Sequence, residues 1–305
     1  MKTNLLLIVG PTASGKTALA LQLASMIECE IISADSRQIY KHLDIGTAKP
    51  LLEERRKVPH HLIDELLPSE YFTAGKFVER ANELILQINQ RKKLPIIVGG
   101  TGLYIRALVD GLFEGIGRST ETREKLEERL KKEGAEILWK ELNSVDPKSA
   151  TTIHPTQTRR VIRALEVYYE TGKPISEYHQ EHQQQKKEQK FNTLFIGLQW
   201  ERKILYERIN IRVEKMLQQG FLDELKNLLS LGYDERLQAL QTVGYKEGFS
   251  FLRGEIPYER MVELMKQNTR RYAKRQLTWF RADERIQWFP IEDEEQISEI
   301  AKQVL

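Results

Sequence analysis

The sequence predicts an α/β protein whose core is a parallel sheet flanked by helices, interrupted by a mostly helical insertion domain. Three observations support this fold class. Short apolar runs alternate with amphipathic stretches over the first third of the chain, which is the pattern of strands joined by helical crossovers. A glycine-rich segment directly follows the first apolar run. The middle of the chain is instead rich in charged residues at helical spacing, and a strand-like run returns only after it.

Each element of the predicted core follows from its local pattern. Residues 5–9 and 30–34 are short, mainly apolar runs, which are typical of buried parallel strands. Residues 18–24 suit a helix, and residues 94–98 form a third strand. A longer helix over residues 72–89 is predicted because one of its faces is apolar, formed by Phe77, Ala81, Leu84, Ile85 and Ile88. Strand, helix and strand in this order imply right-handed crossovers and therefore a parallel sheet.

The pattern changes after residue 111. Residues 118–148 are dense in Glu, Lys and Arg at helical spacing, and residues 176–190 have no apolar stripe, which favours a solvated helix or a mobile tip. The strand pattern returns at residues 193–198, and residues 286–289 are a candidate last strand.

These changes predict two domains. Residues 1–114 and 193–305 should form the α/β core, and residues 115–192 the helical insertion. With 40% hydrophobic and 30% charged residues, the 305-residue chain is globular rather than disordered. We expect a monomer.

Composition also limits the class of protein. Cys29 is the only cysteine, which excludes an internal disulfide and a cysteine-rich zinc site. The apolar run at residues 5–9 is too short to cross a bilayer and is not a signal peptide, so we expect a cytoplasmic protein with no membrane partner. The net charge of +3 allows a polyanionic partner without demanding one.

The segment after the first strand matches the phosphate-binding pattern G-x-x-x-x-G-K-[ST] in full. Its backbone N–H groups and the following helix N-terminus favour phosphate oxygens, Lys16 adds a point charge, and the Thr17 hydroxyl suits Mg²⁺. A ligand-free turn would not need Lys and Thr at those two positions. The sequence therefore predicts a P-loop NTPase-like core, Mg²⁺ as the cofactor, and a diphosphate site formed by Gly10, Pro11, Thr12, Ala13, Ser14, Gly15, Lys16 and Thr17.

The chain departs from an ordinary P-loop NTPase at the other strand ends. The strand at residues 94–98 ends in Gly-Gly-Thr rather than in the acid that such an enzyme places there. The acid that follows a strand is Asp35. From the pattern alone it is a metal ligand, a base facing the phosphate site, or a helix N-cap.

Seven motifs together resemble the family of bacterial tRNA dimethylallyltransferases, also called isopentenyl-tRNA transferases, and the resemblance runs through nearly the whole chain. They are Gly-Pro-Thr-Ala-Ser-Gly-Lys-Thr at 10–17, Ala-Asp-Ser-Arg-Gln-Ile-Tyr at 34–40, Asp-Ile-Gly-Thr-Ala-Lys-Pro at 44–50, Val-Gly-Gly-Thr-Gly-Leu-Tyr at 98–104, His154-Pro155 followed by Arg-Arg-Val-Ile-Arg-Ala-Leu-Glu-Val at 159–167, Val-Gly-Tyr at 243–245, and Ala-Lys-Arg-Gln-Leu-Thr-Trp at 273–279.

The resemblance implies transfer of a dimethylallyl group from dimethylallyl diphosphate to N6 of the adenosine just 3′ of the anticodon, in tRNAs that read codons beginning with U. The loop would hold this diphosphate rather than ATP, which explains the missing acid. Asp35 would hold the N6 amine and accept its proton, and Thr101 would lie near the reacting centre. Arg212 would support the diphosphate, with Arg208, one helical turn away, as the alternative.

The predicted RNA surface begins with residues 266–281, which hold six basic residues and no acid, interleaved with Tyr272, Trp279 and Phe280. Basic groups contact phosphates, and aromatic rings stack on splayed bases. The alternative is a solvated face whose aromatic residues lie in the core. The resemblance implies that the insertion domain contacts the anticodon stem-loop. Together with the charge pattern, it predicts the following tRNA-binding residues: Asp35, Ser36, Arg37, Gln38, Thr101, Arg159, Arg160, Arg163, Gly244, Tyr245, Lys246, Arg271, Lys274 and Arg275.

Two other classes share part of these features. A small-molecule kinase would have the phosphate loop and the α/β core, but it would not need the basic surface. A non-catalytic RNA-binding module would have that surface, but it would have no use for a complete phosphate loop beside Asp35.

Overall fold

The computed structural model describes residues 3–111, 119–184 and 191–292, together with positions 296, 299, 300 and 302. The predicted domain limit at residue 115 lies outside these residues. So does the end of the polar stretch, at residues 185–190.

Two compact units make up the chain. One contains Met1–Val109 and Gln189–Leu305, and the other is Asp110–Glu188. The expected limits of the insertion, residues 115 and 192, differ from these by a few residues.

A six-stranded, all-parallel sheet forms the centre of the first unit, within the described residues. Its strands are β1 (Thr3–Val9), β2 (Cys29–Ser33), β3 (His60–His61), β4 (Leu94–Gly99), β5 (Phe191–Trp200) and β6 (Ile286–Ile291). The spatial order is β3-β2-β4-β1-β5-β6. The parallel α/β core and the last strand were predicted and are confirmed. The two-residue strand β3 was not predicted, because a strand this short carries no periodicity.

The described helices are α1 (Lys16–Ala24), α2 (Leu52–Lys57), α3 (Ala74–Gln90), α4 (Gly102–Asp110), α5 (Thr120–Glu133), α6 (Ala135–Val145), α7 (Pro147–Ala150), α8 (Thr158–Thr171), α9 (Ile175–Gln184), α10 (Arg202–Gln218), α11 (Phe221–Ser230), α12 (Tyr245–Leu252) and α13 (Tyr258–Arg281), with a short 3₁₀ turn at Gln238–Leu240. No helix in the described ranges is both long and apolar enough to span a membrane.

The sheet is buried on both faces. Along β1, Leu5, Leu7 and Val9 join one apolar cluster, while Leu6 and Ile8 join another on the opposite face. The predicted apolar face of α3 is fully confirmed, because all five of its residues are buried in the first cluster. Burying an aliphatic side chain of this size stabilises a fold by about 1.5–3 kcal/mol, so the two layers hold the sheet rigidly.

The second unit is built from α5 to α9 around its own apolar cluster, which includes Leu138, Leu142 and Leu165. The charged pattern of α5 proves to be an exposed face with pairs one turn apart, such as Lys125 with Glu121, whose Nζ–Oε1 distance is 2.6 Å. Such exposed pairs contribute only a few tenths of a kcal/mol each. The buried leucines therefore stabilise this unit far more than the surface charges do.

Candidate active site

A cavity of about 540 Å³ opens at the carboxyl ends of β1, β4 and β2. These ends are level, because Val9 pairs with Gly99 and Ser33 pairs with Val98. The strand β4 lies between the other two, so the loop after β1 and the loop carrying Asp35 are not immediate neighbours. The segment after β4 separates them and forms the floor between them.

The phosphate loop lies between β1 and α1, as predicted. Gly15 has φ of +93° and Ala13 has φ of +64°, a left-handed conformation that turns successive N–H groups toward one side. Lys16 Nζ donates to Pro11 O at 2.7 Å. Behind the loop, Arg208 Nε donates to Ala13 O at 3.0 Å, and the Trp200 indole donates to Ser14 O. These two bonds fix the carbonyls of Ala13 and Ser14. All the residues from Thr12 to Thr17 line the cavity.

The cavity is strongly basic. Lys16, Arg208, Arg212 and Lys215 line it, and Asp35 is the one carboxylate among the lining residues in the described part of the chain. Burial, followed by repulsion from Arg212, lowers the pKa of Lys16 to about 7, although Asp35 acts in the opposite direction. Burial also lowers the pKa of Arg212. A bound anion would relieve this crowding of positive charge.

Both arginines considered for the diphosphate lie at this cavity, in different roles. Arg208 bonds the back of the phosphate loop and its guanidinium carbon lies 4.1 Å from the Trp200 ring centroid. Arg212 donates to Thr47 O at 3.3 Å and adds positive charge close to Lys16. This placement favours Arg212 as the group that faces the ligand.

Asp35 follows β2 and starts a turn at residues 36–39. Its Oδ1 accepts from Arg37 N at 2.8 Å and from Gln38 N at 3.4 Å. The helix N-cap interpretation is wrong, because a turn and not a helix follows. The Asp35 carboxylate nevertheless accepts from the next backbone N–H groups, as an N-cap side chain does. They fix the carboxyl group while it lines the cavity.

Thr101 is bound to the segment that carries Asp35. Its Oγ1 accepts from Ser36 N at 3.1 Å, and its own N–H donates to Ala34 O at 3.2 Å. The approach requires glycine at position 99, where a Cβ atom would lie 2.2 Å from Ala34 O. The structure therefore brings Asp35 and Thr101 together, as the sequence predicted.

Gln276, which the sequence analysis did not single out, joins two of these loops. Its Oε1 accepts from Thr12 N at 2.9 Å, and its Nε2 donates to Gly100 O at 2.9 Å. The available signal was helical spacing, since Ala273, Gln276 and Phe280 share the buried face of α13. A glutamine on an otherwise apolar buried face should have polar partners.

Glu224 was also missed, and it anchors the loop at residues 44–46. Its carboxylate accepts from three successive backbone N–H groups, those of Asp44, Ile45 and Gly46, at 2.6–3.1 Å, and from Tyr245 Oη at 2.7 Å. Glu224 lies in the first turn of α11, where an acidic residue is common, so the sequence did not indicate that it binds a distant loop. The anchored loop continues to Thr47 and Ala48, which line the cavity.

One predicted tRNA contact needs correction. The Tyr245 side chain is fully buried against Glu224, and Gly244 is buried with its N–H donating to Glu247. The Tyr245 side chain is not placed to touch RNA, because it packs in the core under the 44–46 loop, whereas Gly244 lines a small cavity that also contains Asp35. Gln38 bridges Ser33 to the carbonyls of Thr47 and Ala48, so it ties the cavity wall together. By contrast, the side chains of Arg37 and Lys246 lie nearer the surface, Lys246 being exposed.

The basic stretch on α13 divides between two faces. Arg271, Lys274 and Arg275 are exposed, as a phosphate-binding surface requires. Lys266 pairs with Glu214, and Arg270 donates to Asn210, so these two face α10 instead.

The aromatic residues of α13 also divide. Phe280 is buried in the core, as the alternative interpretation of this stretch expects, whereas Trp279 is exposed by about 38%. Tyr272 lines the cavity. Burial, with the nearby charge of Asp35, raises the pKa of Tyr272 to about 12, so its hydroxyl stays protonated.

The remaining predicted contacts lie on α8 in the second unit. Arg159 and Arg160 are exposed. Arg163 is half-buried and lies 3.3 Å from the buried Glu166 carboxylate, which fixes its direction. The three lie in the first two turns of α8, which is inside the second unit rather than at its boundary.

A second, smaller cavity of about 90 Å³ shares six lining residues with the first, namely Thr12, Asp35, Thr47, Arg212, Met216 and Tyr272. Its remaining lining includes the apolar side chains of Val213, Phe221, Val243 and Met265, together with the polar side chains of Arg37, Thr242 and Thr269. The site as a whole thus joins a basic, phosphate-binding half to an apolar half, with Asp35 at the junction.

Comparison with known proteins places this chain in a defined group. A family model described as IPP transferase matches residues 38–283. The chain is 47% identical over 290 residues to a tRNA dimethylallyltransferase of Carboxydothermus hydrogenoformans, covering 95% of this chain and 92% of that one. It is 48% identical over 304 residues to tRNA dimethylallyltransferase 2 of Syntrophus aciditrophicus, covering 100% and 97%.

Solved structures agree. The crystal structure of the tRNA isopentenylpyrophosphate transferase of Bacillus halodurans is similar with a TM-score of 0.72 and 42% identity, covering 99% of this chain and 96% of that one. A eukaryotic dimethylallyltransferase, captured acting on tRNA, is similar with a TM-score of 0.80 and 32% identity, covering 99% and 77%.

Proposed function

Because the chain belongs to the IPP transferase family, we propose that it transfers a dimethylallyl group from dimethylallyl diphosphate to N6 of the adenosine immediately 3′ of the anticodon, in tRNAs that read codons beginning with U. The enzyme is a tRNA dimethylallyltransferase in type, as its relatives are. Its products are pyrophosphate and N6-(dimethylallyl)adenosine.

One observation supports a prenyl donor more than any other. The phosphate loop and the apolar residues of the smaller cavity meet at Thr12 and Asp35. A prenyl diphosphate is anionic at one end and apolar at the other, and it matches this division. A small-molecule kinase would instead bind a nucleoside and a phosphoryl acceptor beside the phosphate loop.

The leaving group is stabilised by the basic half of the site. As the C1–O bond of the donor breaks, negative charge grows on the diphosphate, which the loop N–H groups, Lys16 and Arg212 surround. Groups fixed in place before the reaction stabilise such charge most effectively. The anion also restores the charge of Lys16, whose pKa in the free protein is about 7.

Asp35 acts on the nucleophile. The N6 lone pair of adenine is delocalised into the ring, so the amine is weak until a carboxylate orients its N–H. As N6 bonds to C1, the carboxylate accepts the proton. The bonds from Arg37 and Gln38 to Oδ1 hold the group in place. Thr101, bound to Ser36, keeps the neighbouring wall at a fixed distance from the base.

The residues present fit a Mg²⁺ ion that takes most of its ligands from the substrate. No group of three or more acidic, histidine or cysteine side chains suited to a metal exists in the described ranges, and Thr17 and Asp35 are among the side chains that bring oxygen atoms to the cavity. Mg²⁺ commonly binds through substrate phosphates and a few protein oxygens. Thr17 would hold it, and it would neutralise charge on the diphosphate.

The tRNA would lie across the exposed face of α13, with Arg271, Lys274 and Arg275 on phosphates, and would contact Arg159 and Arg160 of the second unit. The target adenosine must leave its stack to reach Asp35. Because the substrate is tRNA, we place the reaction in the cytoplasm. The expectation of a monomer remains a prediction.

One incubation tests the function. The purified protein is given labelled dimethylallyl diphosphate or γ-labelled ATP, each with and without unmodified tRNA. We expect only the label of the prenyl donor to enter tRNA, and digestion of that tRNA should release it as N6-(dimethylallyl)adenosine. Transfer of the ATP label to a small molecule, with no modified nucleoside, would instead indicate a kinase.

A further inference from the structure

Gln276 lies where the donor and acceptor halves of the site meet. It is 7% exposed, and both ends of its amide are used. One end accepts from Thr12 N of the phosphate loop, and the other donates to Gly100 O, one residue before Thr101. Both bonds span more than 170 residues of sequence, with separations of 264 and 176.

The two loops that it joins approach each other closely. A Cβ atom at position 100 would lie 2.1 Å from Gln276 Nε2 and 3.5 Å from Gly10 O. Beyond Gly100, Thr101 bonds Ser36 beside Asp35. A continuous set of bonds therefore runs from the phosphate loop through Gln276 and Thr101 to the segment that carries the base.

We propose that Gln276 is a positioning residue that fixes the distance between the prenyl diphosphate in the phosphate loop and the adenine held by Asp35 and Thr101. This inference rests on the proposed transfer reaction. Gln276 lines the cavity but acts through the two loops, because its polar atoms are engaged by Thr12 and Gly100.

The chemistry of the side chain explains why glutamine is needed. The site requires one acceptor, for Thr12 N–H, and one donor, for Gly100 O, on the same flat group. An amide supplies both, and so does a protonated carboxylic acid. An ionised carboxylate supplies only acceptors and would face Gly100 O without a proton between them.

A displacement of the two halves should reduce the rate of transfer more than the binding of either substrate. Each substrate still meets its own loop, but the reacting atoms no longer align. A misplacement of about 1 Å can lower a rate on the order of 10²-fold. Gln276→Leu should therefore lower kcat by this order while the KM values for donor and tRNA change little.

Gln276→Glu tests the positioning role through the pH dependence of kcat, which substitution of a merely structural residue would not change. Its kcat relative to the wild-type value should be low at neutral pH and rise as the pH falls, because the protonated acid restores the missing donor. The other charged and titratable side chains that line the cavity are the same in both proteins, so the ratio reports the change at position 276. They are Lys16, Asp35, Arg208, Arg212, Lys215 and Tyr272. Gln87→Glu makes the same change on the exposed face of α3 and should match the wild type at every pH.

The experiment measures kcat and both KM values for these proteins across pH, with thermal unfolding to confirm folding. If Gln276→Leu does not fold, the pH ratio of Gln276→Glu decides alone. A flat ratio, an unchanged kcat in the leucine variant, or a loss confined to one KM would overturn the proposal. Absence of transfer by the wild-type protein would instead reject the proposed function.

Discussion

At the scale of single residues, the proposed role of Asp35 requires a side chain that can accept a proton. Asp35→Asn keeps the size of the side chain and an oxygen to accept from Arg37 N and Gln38 N, but it cannot accept a proton. We expect kcat for transfer to fall by about 10²–10⁴, with tRNA and donor binding largely retained, as measured by single-turnover kinetics and titration.

The competing role of Asp35 as a metal ligand predicts a different result. Donor affinity would fall in the Asn variant, and added Mg²⁺ would partly restore the rate. A fully active Asn variant would exclude the general-base role altogether.

Lys16 gives a prediction in pH. Burial and Arg212 lower its pKa to about 7 in the free protein, and a bound diphosphate favours the charged form. At pH 8 donor binding should therefore take up as much as about one proton, and donor affinity should fall as the pH rises above 7. Calorimetry in buffers of different ionisation enthalpy measures this uptake.

Lys16→Arg is the matched control, since a guanidinium remains charged throughout this range. Its donor binding should take up no proton at pH 8. Equal uptake by both proteins would assign the proton to another group.

Sequence reasoning found the residues whose chemistry is visible in a motif, and it missed those whose role depends on a distant partner. Lys16, Asp35 and Thr101 stand at strand ends, where a pattern of a few residues is enough. Gln276 and Glu224 act on backbone groups about 180 or more residues away, which no local pattern shows. Tyr245 was misassigned for the same reason, because its burial against Glu224 depends on the fold.

At the scale of elements, α13 combines an exposed basic side, which we propose binds RNA, with a side that packs in the core. Reversing charge at both Arg271 and Arg275 should weaken tRNA binding and reduce the salt dependence of log Kd by about 0.7 or more for each phosphate that is no longer bound. Donor binding should barely change. Binding titrations at several salt concentrations give the slope.

Arg260→Glu on the same helix is a suitable control, because Arg260 pairs with Glu263 about three turns from this surface. It should leave the slope close to the wild-type value. If the double variant also has an unaltered slope, the RNA binds elsewhere.

The elements themselves were predictable where their patterns were long. The face of α3 was predicted residue by residue because seventeen residues give several turns of periodicity. The turn after Asp35 was not separated from a helix start, since both use an acid to accept from the next N–H groups. The division of the basic residues of α13 was also missed, because α10 packs against one row and sequence cannot show that.

At the scale of the whole molecule, the two units have separate apolar cores. Leu142 is fully buried in the cluster of the second unit. Leu142→Ala should lower the free energy of unfolding of the second unit by about 2–5 kcal/mol and so speed hydrogen exchange of the amides in α5 to α8. The amides of β1 and β4 should keep their protection, and donor binding should be retained. Exchange followed by mass spectrometry reports both regions at once.

Leu7→Ala, in the sheet, should give the reverse pattern and provides the control. Equal loss of protection in both units after either substitution would show that they unfold as one cooperative body.

The parallel sheet was predictable from three short strands, but its strand order was not. The strands that precede the phosphate loop and Asp35 are consecutive along the chain, but β4 lies between them in the sheet. Order is decided by packing across the sheet rather than by any one strand. The consequence for the site is large, because the segment after β4 then lies between the phosphate loop and Asp35, and its Thr101 Oγ1 accepts from Ser36 N.

The long-range bonds of Gln276 have a consequence during synthesis on the ribosome. The phosphate loop emerges first, but its partner on α13 emerges 264 residues later, and Glu224 arrives 180 residues after the loop that it anchors. Contacts this distant in sequence form late in folding. A nascent chain therefore cannot capture prenyl donor or tRNA productively, and competence should appear in one step once the last long helix has left the exit tunnel.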